Sequence, residues 1–291
     1  MKLNQNKQVK ILIVGLGLLG GSYARALKKK GYTVLAIEKK EESLRFALDN
    51  GIIDEGASVV KEEFLQESDL TVFALYPGVL LEWIKTYGAL FPAGAVLTDV
   101  TGVKSAIVSE IQALLPKGVE FIAAHPMAGK EVGGVENSDE KIFHGANYIV
   151  VPTEKNSPEG IEVCKELGRE LEFRKISVLT PEKHDEMIAF LSQLTHCIAV
   201  SLMCATQDEG LVDYTGDSFR DLTRIARIQE DMWSELFLMN KEALLCQMEK
   251  FETTFAKLKE ALISENTEEM KEMMRLSTQR RALFDQKGEE K

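Results

Sequence analysis

Up to about residue 180 the chain alternates short, almost wholly apolar runs with longer stretches in which apolar residues recur at helical spacing. The runs Lys10 to Val14, Tyr32 to Ile37, Leu70 to Leu75, Ala95 to Val100, Val119 to Ala124, Asn147 to Val151 and Phe173 to Leu179 predict strands. Ser22 to Lys30, Pro77 to Gly88, Lys104 to Leu115 and Ser157 to Leu171 predict helices. Such alternation predicts a doubly wound parallel sheet with helices on both faces. After Leu179 the pattern changes. Thr180 suits an N-cap and Pro181 the first helical position, and helical spacing then continues to about Ala205. It resumes over Ser218 to Arg227, Asp231 to Leu262 and Thr267 to Phe284, and no proline follows Pro181. The expected organisation is an α/β domain over residues 1–179 followed by an all-helical domain over 180–291. The apolar helix Ile188 to Met203 needs cover on most sides, so part of it is expected to face a partner subunit, making the protein a homodimer through its helical domain.

The first strand ends at Gly15-Leu16-Gly17-Leu18-Leu19-Gly20 and a helix follows. In this context Gly15 permits the tight turn, Gly17 lets a pyrophosphate approach the backbone, and Gly20 lets helix and strand pack closely. The N–H groups at Leu18 and Leu19 open the helix and face the phosphates. The second strand ends at Glu38, 23 positions after Gly15, where a carboxylate accepts hydrogen bonds from an adenosine ribose. A Rossmann-like dinucleotide site is therefore expected. Glu38 would repel a 2′-phosphate and favours NAD, although the neighbouring Lys39 and Lys40 leave NADP open.

Ligands in such sheets sit beyond the carboxyl ends of the strands. Asp99-Val100-Thr101-Gly102 and Ala124-His125-Pro126-Met127-Ala128-Gly129-Lys130-Glu131 both follow predicted strand ends. His125, one of four histidines, would be delivered into a glycine-flanked turn, where an imidazole can take a proton from a hydroxyl. Lys104, in the first turn of its helix, reads as an ordinary exposed lysine, with a local anionic partner as the alternative.

Charge and cysteine content narrow the function classes. The 291 residues carry 46 acidic against 35 basic side chains, a formal charge of -11, so there is no general attraction to nucleic acid or anionic membranes. The four cysteines form no CxxC pair and read as buried thiols in a reducing compartment, with no metal site. The polar start lacks a signal-peptide core and no later run reaches membrane-spanning length, so a cytoplasmic location is expected.

In the helical half, His196 lies within an apolar stretch and reads either as a hydrogen-bonded core histidine or as a pocket residue. Arg220, Arg224 and Arg227 recur at spacings of four and three and would share a helix face, with Asp217 and Asp221 beside them. That pattern fits a surface ion-pair ladder or a clamp for carboxylates. His144 and His184 read as structural or solvent-facing.

Taken together, these stretches resemble the prephenate dehydrogenase family, with its arogenate and cyclohexadienyl relatives in tyrosine biosynthesis. The resemblance runs from Val9 to about Leu283. It rests on Gly15 to Gly20, Gly51-Ile52-Ile53-Asp54, His125-Pro126-Met127-Ala128-Gly129, Ser192-Gln193-Leu194-Thr195-His196, and Phe219 to Ala226 with Trp233 beyond. It implies an oxidoreductase that uses NAD to decarboxylate prephenate oxidatively to 4-hydroxyphenylpyruvate. By the same resemblance His125 is the catalytic base, Arg224 binds a substrate carboxylate, and His196, Asp221, Trp233 and Glu131 line or brace the pocket. Where relatives often carry a serine this chain has Gly102, with Thr101 as a stand-in able to reach the substrate hydroxyl. Thr195 replaces a usual proline, Arg227-Ile228-Gln229-Glu230 a run commonly Ser-Ser-Asp-Pro, and Asp217 a usual glycine. These departures leave arogenate dehydrogenase and a catalytically silent NAD-binding relative as alternatives.

Overall fold

The computed structural model describes residues 9–130 and 132–285. Six parallel strands run in the order β3-β2-β1-β4-β5-β6. They are β1 (Lys10–Val14), β2 (Thr33–Ile37), β3 (Glu55–Ala57), β4 (Leu70–Phe73), β5 (Val96–Asp99) and β6 (Glu120–Phe121). The order reverses direction between β1 and β4, the crevice where such sheets bind ligands. Helices α1 (Leu18–Lys29), α2 (Glu41–Asp49), α3 (Glu62–Glu67), α4 (Pro77–Tyr87) and α5 (Val108–Leu114) connect the strands. Because both faces are covered, β1 is apolar from Ile11 onward: Ile11 and Ile13 join a core with Tyr23 and Leu27 of α1. Leu12 and Val14 join the opposite core with Leu80, Ile84 and Ile111.

The run expected as one strand from Val119 to Ala124 divides between two sheets. Ile122 N–H still reaches Leu97 O at 2.9 Å, but the next inward N–H, that of Ala124, goes to the Asp99 side chain at 3.0 Å. The chain then leaves the parallel sheet as β7 (Ala123–Pro126). β7 pairs antiparallel with β8 (Asn147–Val151), which pairs parallel with β9 (Lys175–Val178) after helix α6 (Pro158–Glu170). This three-stranded mixed sheet continues both cores, Tyr148 and Val150 on one side and Ile149 and Val151 on the other. His125 accordingly sits inside a strand, opposite Ile149, rather than in a turn.

Thr180 caps α7 (Pro181–Ile188), with its side chain accepting from Lys183 N–H. The helix continues through a π-helical turn, Ala189–Leu194, into α8 (Thr195–Cys204). This run is, by length and composition alone, long and apolar enough to cross a membrane, contrary to the reading of the sequence. It also carries the polar residues described below. α9 (Asp217–Thr223), α10 (Glu230–Met239), α11 (Lys241–Ile263) and α12 (Thr267–Asp285) complete the chain.

By compactness the chain forms two units, one ending at Lys241 and the other beginning at Glu242, so α7 to α10 belong with the sheets. This division does not follow the 179/180 boundary expected from the sequence, which is where the α/β elements give way to helices. The cysteines are all free: Cys164 is buried and Cys197 half-buried, but Cys204 and Cys246 are exposed, which corrects the reading of all four as buried.

Candidate active site

Gly15 adopts φ +96°, and a Cβ there would lie 2.6 Å from Ala74 O, so both the turn and β4 require glycine. A Cβ on Gly20 would meet Gly15 O at 1.9 Å, so α1 can pack on the loop only without one. Gly17 differs, since a Cβ there meets nothing within 4 Å. The protein itself leaves that space open, as the approach of a phosphate to the backbone requires. Gly17 is also the N-cap of α1 and supplies no side-chain cap, so the N–H groups of Leu18 and Leu19 open the helix without one. Glu38 closes the far side: its carboxylate accepts from Leu16 N–H at 2.7 Å and Lys40 N–H at 2.8 Å. These bonds fix the carboxylate at the end of β2, and each oxygen keeps further acceptor capacity for a ribose hydroxyl. The residues present fit a dinucleotide.

On the same rim a chain of three side chains leads away from His125. The Asp185 carboxylate only accepts, so the 2.7 Å contact with His184 places the proton on His184 Nδ1. Neutral His184 then offers the Nε2 lone pair to His125 Nδ1–H, 2.9 Å away. His125 Nε2 is left as the basic nitrogen. Asp185 is itself held by the N–H groups of Lys104 at 2.9 Å and Ser105 at 2.7 Å. Burial works to raise its carboxyl, but the bonds from His184 and Ser105 outweigh this and leave it below the usual carboxylate range. Burial holds His125 well below its ordinary 6.5, and the neighbouring His184 and Lys104 lower it further. Near neutral pH His125 is therefore an unprotonated acceptor.

Beneath this chain lies a buried ionic cluster. Lys104 is fully buried rather than exposed; its Nζ reaches Asp99 at 2.6 Å, Thr101 Oγ1 at 3.0 Å and Ala124 O at 2.6 Å. Its anionic partner is thus Asp99, on the preceding strand. Thr101, expected to reach a substrate hydroxyl, is 3% exposed and donates to Asp99 instead. The carboxylate two residues away is the stronger acceptor and commits the hydroxyl to the interior. Gly102 lies next to it, where a Cβ would make ordinary contact with Leu236 at 3.5 Å.

The helical residues gather around α8 and α10. His196 Nδ1–H donates to Ser192 O at 2.9 Å across the π-helical turn, and the ring stacks on Trp233 with centroids 3.8 Å apart. Gln193 and Asn240, both buried, tie these helices together: Gln193 donates to Leu236 O at 3.0 Å, and Asn240 donates to Gln193 at 2.7 Å and Asp185 O at 2.9 Å. Glu235 of α10 accepts from Gly78 N–H at 2.6 Å, at the start of α4.

The three arginines do not share one helical face, because α9 stops at Thr223, whose hydroxyl bonds Phe219 O. Arg224 to Ala226 form a separate 3₁₀ turn that packs on α8. Arg220 makes the ladder contact, 2.7 Å to Asp217. Arg224 and Asp221 are exposed beside it, and Glu131 lies outside the described residues.

His144 pairs with Glu172 at 3.0 Å near the surface, as expected of a structural residue. His184, placed with it from the sequence, is instead the direct partner of His125. The signal was available: a His-Asp pair in the first turn of the helix that opens where the last strand ends.

A dinucleotide cradle and an oriented imidazole base on one rim define a class, the nucleotide-dependent dehydrogenases of the α/β type. The comparisons narrow it. Residues 23–177 match the model of the prephenate dehydrogenase nucleotide-binding domain and residues 180–276 that of the prephenate dehydrogenase dimerization domain. The chain belongs to the prephenate dehydrogenase family. It is 32% identical to the prephenate dehydrogenase of Bacillus subtilis over 92% of this chain and 74% of that protein. It is 28% identical to the cyclohexadienyl dehydrogenase of Zymomonas mobilis over 88% of this chain and 89% of that one. A crystal structure of Aquifex aeolicus prephenate dehydrogenase, in complex with hydroxyphenyl propionate and NAD+, superposes with a TM-score of 0.88 at 30% identity. That match covers 96% of this chain and 99% of the other.

Proposed function

We propose that the chain catalyses the NAD-dependent oxidative decarboxylation of prephenate to 4-hydroxyphenylpyruvate. The observation that carries this reading is the Asp185–His184–His125 chain, which leaves a neutral imidazole whose basic Nε2 has no partner among the described residues. Gly15 to Gly20 would hold NAD and Glu38 would accept from its ribose, and the bound NAD would supply the acceptor for the hydride from C4. His125 Nε2 takes the proton of the C4 hydroxyl. The bond to the ring carboxylate breaks, its electron pair moves through the ring to the C4 oxygen, and carbon dioxide leaves an aromatic ring. The proton on His125 returns to that oxygen. Arg224 grips a substrate carboxylate, and His196, packed on Trp233, forms the pocket wall, with Asp221 and Glu131 as further pocket residues by the family resemblance.

Prephenate is favoured over arogenate because Asp217, the acidic departure with the charge to attract an amine, is paired with Arg220 and points to solvent. Residues 1–179 then serve the cofactor and 180–291 the substrate and a homodimer. Phe255, Leu262, Ile263 and Phe284 of α11 and α12 are more than half exposed, as are Phe190 and Leu238 of the preceding helices, and a second copy would cover them. NADH formation by the purified protein tests the reading. Turnover with prephenate and NAD is expected; turnover only with arogenate would reassign the substrate, and none with either would identify a silent relative.

A further inference from the structure

Lys104 has no part in the reaction as derived, yet it is among the most completely buried side chains in the molecule. A lysine is rarely buried unless its charge is matched. Here all three ammonium donors have acceptors: Asp99, Thr101 Oγ1 and the carbonyl of Ala124. Ala124 immediately precedes His125, and its N–H is held by the other oxygen of Asp99. The Lys104 backbone N–H, in turn, donates to Asp185. One residue thus touches the strand that carries the base and the carboxylate at the far end of the imidazole chain.

We propose that Lys104 is a positioning residue for His125, its buried ammonium fixing the Ala124–His125 backbone against β5 and opposing a second positive charge on the neighbouring imidazole. The proposal rests on the reading of His125 as the base. Among the described residues, the charged and titratable groups around His125 are Asp99 at the end of β5, Lys104 in the following turn, and His184 and Asp185 on α7; β8 contributes Ile149 opposite it. Of these, Lys104 and His184 both act to lower the His125 imidazole, after burial. Asp99 is already neutralised by its 2.6 Å contact with Lys104.

The test compares Lys104→Met, which keeps length and loses charge and hydrogen bonds, with Lys104→Gln, which loses charge but can still donate to Ala124 O or Asp99. Two readouts are taken: steady-state kinetics with prephenate, and NMR titration of the histidine ring carbons in the cofactor-free protein. With only four histidines the His125 signal is assigned by its loss in His125→Asn. Removing a cation and exposing Asp99 both favour the imidazolium, so the His125 titration should move up by about half to one pH unit in both variants. The turnover number should fall roughly tenfold or more in Lys104→Met and less in Lys104→Gln, with the Michaelis constant little changed.

An unmoved His125 titration in either folded variant would overturn the proposal, as would a loss confined to the Michaelis constant. If Lys104→Met does not fold, Lys104→Gln carries the test. Failure of both to fold assigns Lys104 to stability alone and also overturns it. If the wild-type protein oxidises neither prephenate nor arogenate, the functional reading falls separately, while the titration still decides the role of Lys104.

Discussion

The two sides of the site are built to different tolerances. Around His125 the polar atoms are buried and bound to one another and to the backbone, from Asp99 and Lys104 through Asp185 to His184. Around Arg224 the charged side chains are exposed on a short helix and a 3₁₀ turn, near the His196 ring packed on Trp233. The proton acceptor is thus oriented before any ligand arrives. On the side proposed to bind the substrate, the His196–Trp233 ring contact and the buried Gln193–Asn240 bonds hold α8 and α10, and the Arg224 turn packs on α8. Orientation set in advance lowers the barrier of a chemical step, whereas flexible surface charge contributes mainly to binding. Apart from Gly102, which lies beside the buried Asp99–Thr101–Lys104 cluster, the departures from the family pattern fall on the second side, where substitution costs the fold least.

The largest test of this contrast is His125→Asn, which should lower the turnover number by on the order of 10²–10⁴-fold while calorimetry shows unchanged NAD binding. Next is Asp185→Asn. An amide in place of the carboxylate can donate to His184 Nδ1, which would reverse both tautomers and put the proton of His125 on Nε2. A loss of roughly 10²-fold in turnover is expected, together with a lower melting temperature, because the Lys104 and Ser105 N–H groups can no longer both be satisfied. Arg224→Ala sharpens the other side: a lost charged contact of about 1.5–3 kcal/mol should raise the Michaelis constant for prephenate by about 10- to 150-fold and leave NAD affinity intact. Asp217→Asn should be nearly silent, within about 0.5 kcal/mol in stability and about twofold in rate, since its ion pair is exposed. A large effect there would show that the substrate side is more ordered than its exposure indicates.

Much of the fold could be read from the sequence, because strands covered on both faces must be apolar throughout and glycines with steric duties recur at fixed spacing. The glycine loop, Glu38 and the Thr180 cap all appear where those rules put them. The division of Val119 to Ala124 between two sheets could not be read, since it depends on one side chain, Asp99, taking a backbone N–H. Lys104 was misjudged for a related reason: a lysine in a first helical turn is ordinarily solvated, and only the fold brings Asp99 and Ala124 O to it. Nothing in the sequence around Thr101 shows that Asp99 takes its hydroxyl. His184 was underrated because its neighbour in space is 59 residues away in sequence. The arginine pattern misled through the early end of α9 at Thr223.

The central claim is that His125 is a base kept neutral by its surroundings, and the pH dependence of kcat/KM tests it most directly because it reports groups of the free enzyme. Only neutral His125 accepts a proton, and burial with His184 and Lys104 holds it below its ordinary value, so activity should stay level as pH falls through 6.5 and decline only at lower pH. An acid limb centred at or above pH 6.5, or one that persists unchanged in His125→Asn, would contradict the account.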